Sequence, residues 1–252
     1  MPARRLPNTN AAVIRTLTAA REAWKRFPSN RLITAAHWQQ LDDTQPTALL
    51  NRFLKESSDV DKAIAAQVPL TSAQGQVLAR LTLLVSHFHQ VYDLAVERTY
   101  FTAAGRAYYG RDVNATTIPD LSTLDAVIAA AEAIVKGEAD RQTAEAAAYK
   151  PMELPYAAEV AAVLSDAKQK RAAAETAKLA TDTEQNELAA LYSEAQRLAV
   201  SLINHIEFNL EERHDLDAPG RRRIARAWGV VYINEDGSLN EEPAPESPTP
   251  VE

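Results

Sequence analysis

Between Val77 and Ala95 the apolar positions Val77, Leu78, Leu81, Leu84, Val85, Phe88, Val91, Tyr92 and Ala95 recur at spacings of three and four. That period puts them on one stripe of an α-helix, with the intervening polar residues on the other face. The spacing returns at Leu188, Leu191, Tyr192, Ala195, Leu198, Ala199, Leu202 and Ile206. Two stripes of this length predict two long helices at the centre of an antiparallel bundle. Prolines and turn residues divide the remainder. They predict helices over 10–27, over 30–67 with a break near Pro46, and over 71–99. The series then starts again over 122–136, over 138–179 with a break at 151–155, and over 183–213.

The two series share landmarks in the same order. ERTYFTAAGR at 97–106 matches ERHDLDAPGR at 212–221, Leu6-Pro7 matches Ile118-Pro119, and Val13-Ile14 matches Val127-Ile128. ITAAHWQQLDD at 33–43 matches AEAAAYKPMEL at 144–154, with Pro46 against Pro155. A period of about 112 residues therefore predicts an internal duplication. The expected fold is an all-α, internally duplicated antiparallel helical bundle with about three helices per repeat and six main helices. Repeat 1 is expected over 1–116, and repeat 2 over 117–228 packs with it as one bundle.

In each repeat the end of the long helix reads as one structural joint that also serves for interaction: Glu97, Arg98, Gly105, Arg106 and Tyr109, then Glu212, Arg213, Gly220, Arg221 and Trp228. Glycine lets the backbone turn, the aromatic residue plugs the open end of the core, and arginine pairs with a nearby carboxylate. Residues 229–252 are read as a C-terminal arm. GVVYINEDGSLN at 229–240 has β-branched residues before a turn and predicts a short β-hairpin or extended arm. EEPAPESPTPVE at 241–252 is acidic and proline-rich, cannot build a core, and suits an arm laid along a neighbouring subunit.

Composition supports this reading. With 252 residues, 46% of them hydrophobic, a sizeable core is available, and seven glycines with runs of alanine favour helix. The chain has no cysteine, which excludes disulfides, thiolate nucleophiles and thiolate metal sites. A net charge of -7 disfavours nucleic acid and anionic membrane as general partners. No apolar run has the length of a signal peptide or a membrane span, so the expectation is a cytoplasmic protein without membrane insertion.

Candidate chemistry is sparse. Glu211 and His214 have the Glu-x-x-His spacing of bundle metal sites, and Glu207 falls on the same face, so these three are the metal candidates. The first copy reads Glu97-Arg98-Thr99-Tyr100 at the corresponding position, without a histidine. His89, Asp93 and Glu97 align at i, i+4 and i+8, where an ion-pair ladder on a polar flank is expected. His87 projects away from His89, while His37 and His205 read as isolated. Arg221, Arg222, Arg223 and Arg226 form a basic run that is expected to pair within the protein or with a partner rather than with nucleic acid. Ser57, Ser58, Ser86 and Ser201 have no base at a spacing that predicts one. No phosphate loop or nucleophile elbow occurs. The expectation is a non-catalytic structural or adaptor bundle without a cofactor, acting through a protein partner or self-association. The rivals are a metal-binding bundle and a small-ligand pocket between the repeats, lined by Trp24, Trp38, Tyr92, Tyr149 and Tyr192.

Overall fold

Four of the helices start where a short polar side chain can satisfy a free backbone N–H. In a computed structural model describing residues 2–29 and 31–240, Thr9, Thr34, Thr123 and Asp217 each accept a hydrogen bond from an N–H of the first helical turn. They open α1 (Asn10–Arg26), α2 (Ala35–Leu41), α4 (Leu124–Glu145) and α6 (Ala218–Ala227). The long helices are α3 (Leu49–Glu97) and α5 (Ala157–Glu211). Short 3-10 helices occupy Ala103–Tyr109 and Ala146–Ala148. Strands β1 (Ala3–Arg5) and β2 (Val231–Ile233) pair antiparallel, and the protein is otherwise predominantly helical.

The long helices run through places where breaks were expected. Between Gln67 and Thr71 α3 continues past Pro69. Proline removes one helical donor and crowds the preceding turn. Here Ala65, Ala66, Val68 and Pro69 are exposed, so water can reach the freed carbonyl, and Thr71 bonds back to the Gln67 carbonyl at 3.2 Å. Likewise α5 continues through Leu179–Thr183, where the Thr181 hydroxyl bonds back to the Ala177 carbonyl at 3.1 Å. The break expected at Gly137 is also absent. That glycine lies inside α4, where a Cβ would overlap the Tyr108 carbonyl. Close approach of another backbone, not a turn, is what requires glycine there.

The described residues form two compact units: 2–62 with 182–240, and 63–181. The sequence boundary at residue 116 therefore falls inside the second unit, because α3 and α5 each pass uninterrupted from one unit into the other. In the first unit, Leu17, Phe53, Leu202, Ile206 and Trp228 are among the fully buried core residues. In the second, Leu81, Val85, Phe88, Tyr92 and Ile134 fill the centre. Both sequence stripes thus face a core, the earlier one in the second unit and the later one in the first, with Val91 of the earlier stripe exposed at 36%. At roughly 1.5–3 kcal/mol per large apolar side chain, these stripes are the main source of stability in each unit.

The C-terminal segment departs from a simple hairpin. Strand β2 pairs with the N-terminal β1, matching Arg4 with Tyr232, and the turn after it folds back only as far as an isolated Ile233–Leu239 bridge. The acidic proline-rich stretch 241–252 lies outside the described residues.

Candidate functional site

The first joint is built where α3 ends. Thr99 adopts a left-handed conformation (φ 62°), and the N–H groups of Tyr100 and Phe101 return to the Ala95 carbonyl at 2.9 and 3.3 Å. This reversal closes α3 and sends the chain into the 3-10 helix Ala103–Tyr109. Gly105 is not the turning residue: it has no positive φ, and its requirement is steric, because a Cβ there would overlap the Tyr92 hydroxyl. Tyr109 is buried against Phe88 and Tyr92, with ring centroids 4.9 and 5.1 Å apart, as a core plug requires. Arg106 meets the Asp93 carboxylate at 2.9 Å, and Arg111 grips it with two bonds of 2.9 Å. Burial raises the Asp93 carboxyl, but the Arg111 and Arg106 hydrogen bonds outweigh it and hold the group below its usual range.

Behind this joint lies a buried polar network. Glu138 on α4 accepts hydrogen bonds from the hydroxyls of Tyr109 (2.5 Å) and Tyr149 (2.7 Å), the Met152 N–H (3.1 Å) and Arg141 (2.9 Å). Arg141, 1% exposed, also donates to the Lys150 carbonyl (2.6 Å) and to Glu145 (3.3 Å). Its guanidinium lies 4.7 Å from the Phe101 ring centre and 4.9 Å from that of Tyr149. Burial tends to raise the Glu138 carboxyl, but Tyr109, Arg141, Tyr149 and the Met152 N–H together lower it. Burial and then the Glu138 contact push Tyr149 up to about 12. The pair therefore stays ionised while both tyrosines stay protonated. Its structural effect is to pin residues 149–152 onto α4.

The pinned segment forms one wall of a cleft of about 580 Å³ lined by Val91, Leu94, Ala95, Arg98, Tyr100, Phe101 and residues 150–154. That volume is within the usual range for a binding pocket. Phe101, stacked on Tyr92 at 5.2 Å, connects it to the core. Leu94 is 50% exposed, Tyr100 69% and Leu154 72%, so the rim is apolar and open to solvent. The side-chain cations of Arg98 and Lys150 line the same cleft and have no hydrogen-bond or ion-pair partner among the described residues. One acid, Glu153, accompanies them.

The second joint is closed differently. Trp228 is fully buried in the first unit, with an indole N–H that has no partner among the described residues. The turn comes at Gly229 (φ 95°), where a Cβ would overlap the Thr16 carbonyl. Gly220 lies within α6 beside its capping Asp217. Arg213 pairs with the neighbouring Asp215 at 2.8 Å, and Arg221 with Arg222 lines a smaller cleft of about 240 Å³ together with Glu207, Glu211 and Tyr232. Arg226 is occupied by Asn240 and stands over the Tyr232 ring.

The expected metal ligands do not converge. Glu207 bonds Arg4 at 2.7 Å and the Tyr232 hydroxyl at 3.1 Å, while Glu211, Glu212 and His214 are exposed. Among the described residues, three possible ligand atoms come together only at Glu56, Asp59 and Glu184, where Lys55 and Lys62 already neutralise Asp59. The His89–Asp93–Glu97 ladder is also absent. His89 is 1% exposed with neither ring nitrogen bonded, Asp93 belongs to the arginines, and Glu97 is exposed. Burial, followed by Arg111, lowers the His89 pKa to about 4, so the ring is neutral. Of the suggested pocket lining, Trp24, Trp38 and Tyr192 belong to the first unit, with the two tryptophans stacked at 5.3 Å, and Tyr92 and Tyr149 belong to the second.

Ser201, for which spacing offered no base, does meet one: His37 Nε2 lies 3.1 Å from its Oγ, and His205 packs edge-on at 5.4 Å. The Thr34 N–H points at His37 Nδ1 at 3.4 Å, so Nδ1 is the acceptor and the neutral ring carries its proton on Nε2. His37 then donates to the serine rather than accepting its proton, the reverse of nucleophile activation. Burial and the nearby His205 both lower the His37 pKa and favour the neutral ring.

Among the described residues, no helix is long and apolar enough to cross a membrane. Compared with known proteins, the chain matches no family model, no curated protein and no solved structure.

Proposed function

We propose that the protein is a non-catalytic assembly subunit or adaptor that docks a protein partner through the cleft at the end of α3. The observation that carries this reading is an open apolar rim, formed by Leu94, Tyr100 and Leu154, around a cleft whose far wall is fixed by the buried Glu138–Arg141 network. Exposed apolar surface on a rigid frame suits protein contact, because little ordering is needed on binding. The inverted Ser201–His37 hydrogen bond and the dispersed carboxylates are consistent with a role without catalysis.

We also propose that the chain is an internally duplicated antiparallel bundle with repeats at 1–116 and 117–228. Its support is the recurring order of a short helix, a long helix and a capping helical turn. The order appears once as α1, α3 and Ala103–Tyr109 and again as α4, α5 and α6. Each long helix is followed by a buried aromatic residue, Tyr109 or Trp228.

Light scattering across a concentration series tests the docking role. The wild-type chain should self-associate, and Leu94→Asp with Leu154→Asp should abolish association while leaving the helical circular dichroism intact. Phe208→Asp, equally exposed but in the other unit, should change nothing. Loss of association in Phe208→Asp, or its retention in the cleft variant, contradicts the assignment.

A further inference from the structure

Resting on that reading of the cleft, we propose that its occupant is the acidic proline-rich segment 241–252 of a second copy of this chain. Four of the residues lining the cleft make it suited to such a ligand. Tyr100 and Phe101 offer ring faces, and Arg98 and Lys150 offer two cations that no described residue neutralises. The segment supplies the complement: Glu241, Glu242, Glu246 and Glu252, no cation, and prolines at 243, 245, 248 and 250.

Proline fixes φ and removes the N–H, which favours a polyproline II helix and disfavours a β-ladder. A segment of that form binds aromatic-lined grooves through its ring faces, at low entropic cost because its conformation is already restricted. At about 3.1 Å per residue, twelve residues reach roughly 37 Å, enough to leave one molecule and lie along another. The root of the segment is fixed. The Asn240 N–H donates to the Tyr232 carbonyl at 3.0 Å, and its side chain bonds Asn234 and Arg226. The tail therefore departs from the unit formed by 1–62 and 182–240, while the cleft belongs to the unit 63–181. Each copy then carries one donor and one acceptor, and the contact is heterologous: it propagates head to tail into a ring or an open chain.

A charge swap in the full-length chain tests this directly. Arg98→Glu with Lys150→Glu, or Glu242→Lys with Glu246→Lys, should each weaken self-association by about tenfold or more. The two changes combined should restore it to within about threefold of wild type. The wild-type interaction should weaken as salt is raised. Arg98 and Lys150 are both exposed, and an unchanged circular dichroism spectrum confirms that each variant folds. Association that survives the tail substitutions, or a combined variant that fails to recover, overturns the tail as occupant. A tail that docks with no dependence on protein concentration overturns the second copy. If the tail variants associate normally while Leu94→Asp with Leu154→Asp does not, the cleft remains the docking surface, its occupant is a different part of the second copy, and the tail is overturned.

Discussion

A Glu-Arg pair marks the end of each long helix, Glu97-Arg98 after α3 and Glu212-Arg213 after α5, and is followed by a glycine-arginine pair and a buried aromatic residue, yet the two ends are closed by different physics. At the first, two arginines converge on Asp93, and a tyrosine hydroxyl reaches a carboxylate inside the core. At the second, an indole with no polar partner among the described residues fills the space, and the carboxylate of Glu207 is held by Arg4 and Tyr232. The difference teaches what a buried charge pair is suited to. Arg141 and Glu138 cost desolvation that an apolar filler would avoid, so their presence is poor support for a purely stabilising role. What they do is fasten residues 149–152 in one place, and that segment is a wall of the cleft.

The largest expected effect separates the two joints. Glu138→Ala leaves Arg141 buried without its main partner and strands two tyrosine hydroxyls, which should cost about 3–5 kcal/mol in urea denaturation. Trp228→Phe should cost clearly less, since it also removes an unpartnered N–H. Equal losses would mean that the polar closure is no more critical than the apolar one.

A second difference concerns acid. His89, beside the first joint, is buried and neutral with a pKa lowered from 6.5 to about 4, whereas His214 at the second joint is exposed. The unfolded chain binds a proton at His89 at higher pH than the folded chain does. Stability from this group is therefore complete above pH 6.5 and falls as pH drops toward 4, by about 3 kcal/mol in all. Denaturation midpoints measured across that range should fall for wild type and fall less for His89→Gln. Parallel curves would show that His89 is not the responsible group.

Much of the scaffold was legible in the sequence, because its signals are local. The three- and four-residue spacing from Val77 to Tyr92 and from Leu188 to Ile206 marks faces that are buried apart from Val91. Where reading failed, the deciding contact was distant. Gly137 looked like a helix break because the Tyr108 backbone against it comes from another part of the chain. Glu138 and Arg141, three apart in an alanine-rich stretch, look like an ordinary solvated pair. Only Tyr109 and Tyr149 folding over them put the pair inside. At the two joints the left-handed residues are Thr99, Gly110 and Gly229 rather than the two paired glycines, and Thr99 carries no compositional mark. The cleft was hidden for a related reason. Val91 and Leu94 sit at the margin of the apolar stripe, and periodicity does not distinguish a margin that is covered from one left open.

The most direct test is hydrogen–deuterium exchange of the full-length wild-type chain over a concentration series. If the first joint is the docking surface, protection of residues 91–101 and 150–154 should rise with protein concentration, while residues 204–222 at the second joint should exchange at a constant rate. Protection that rises at the second joint instead, or at neither, would contradict the account.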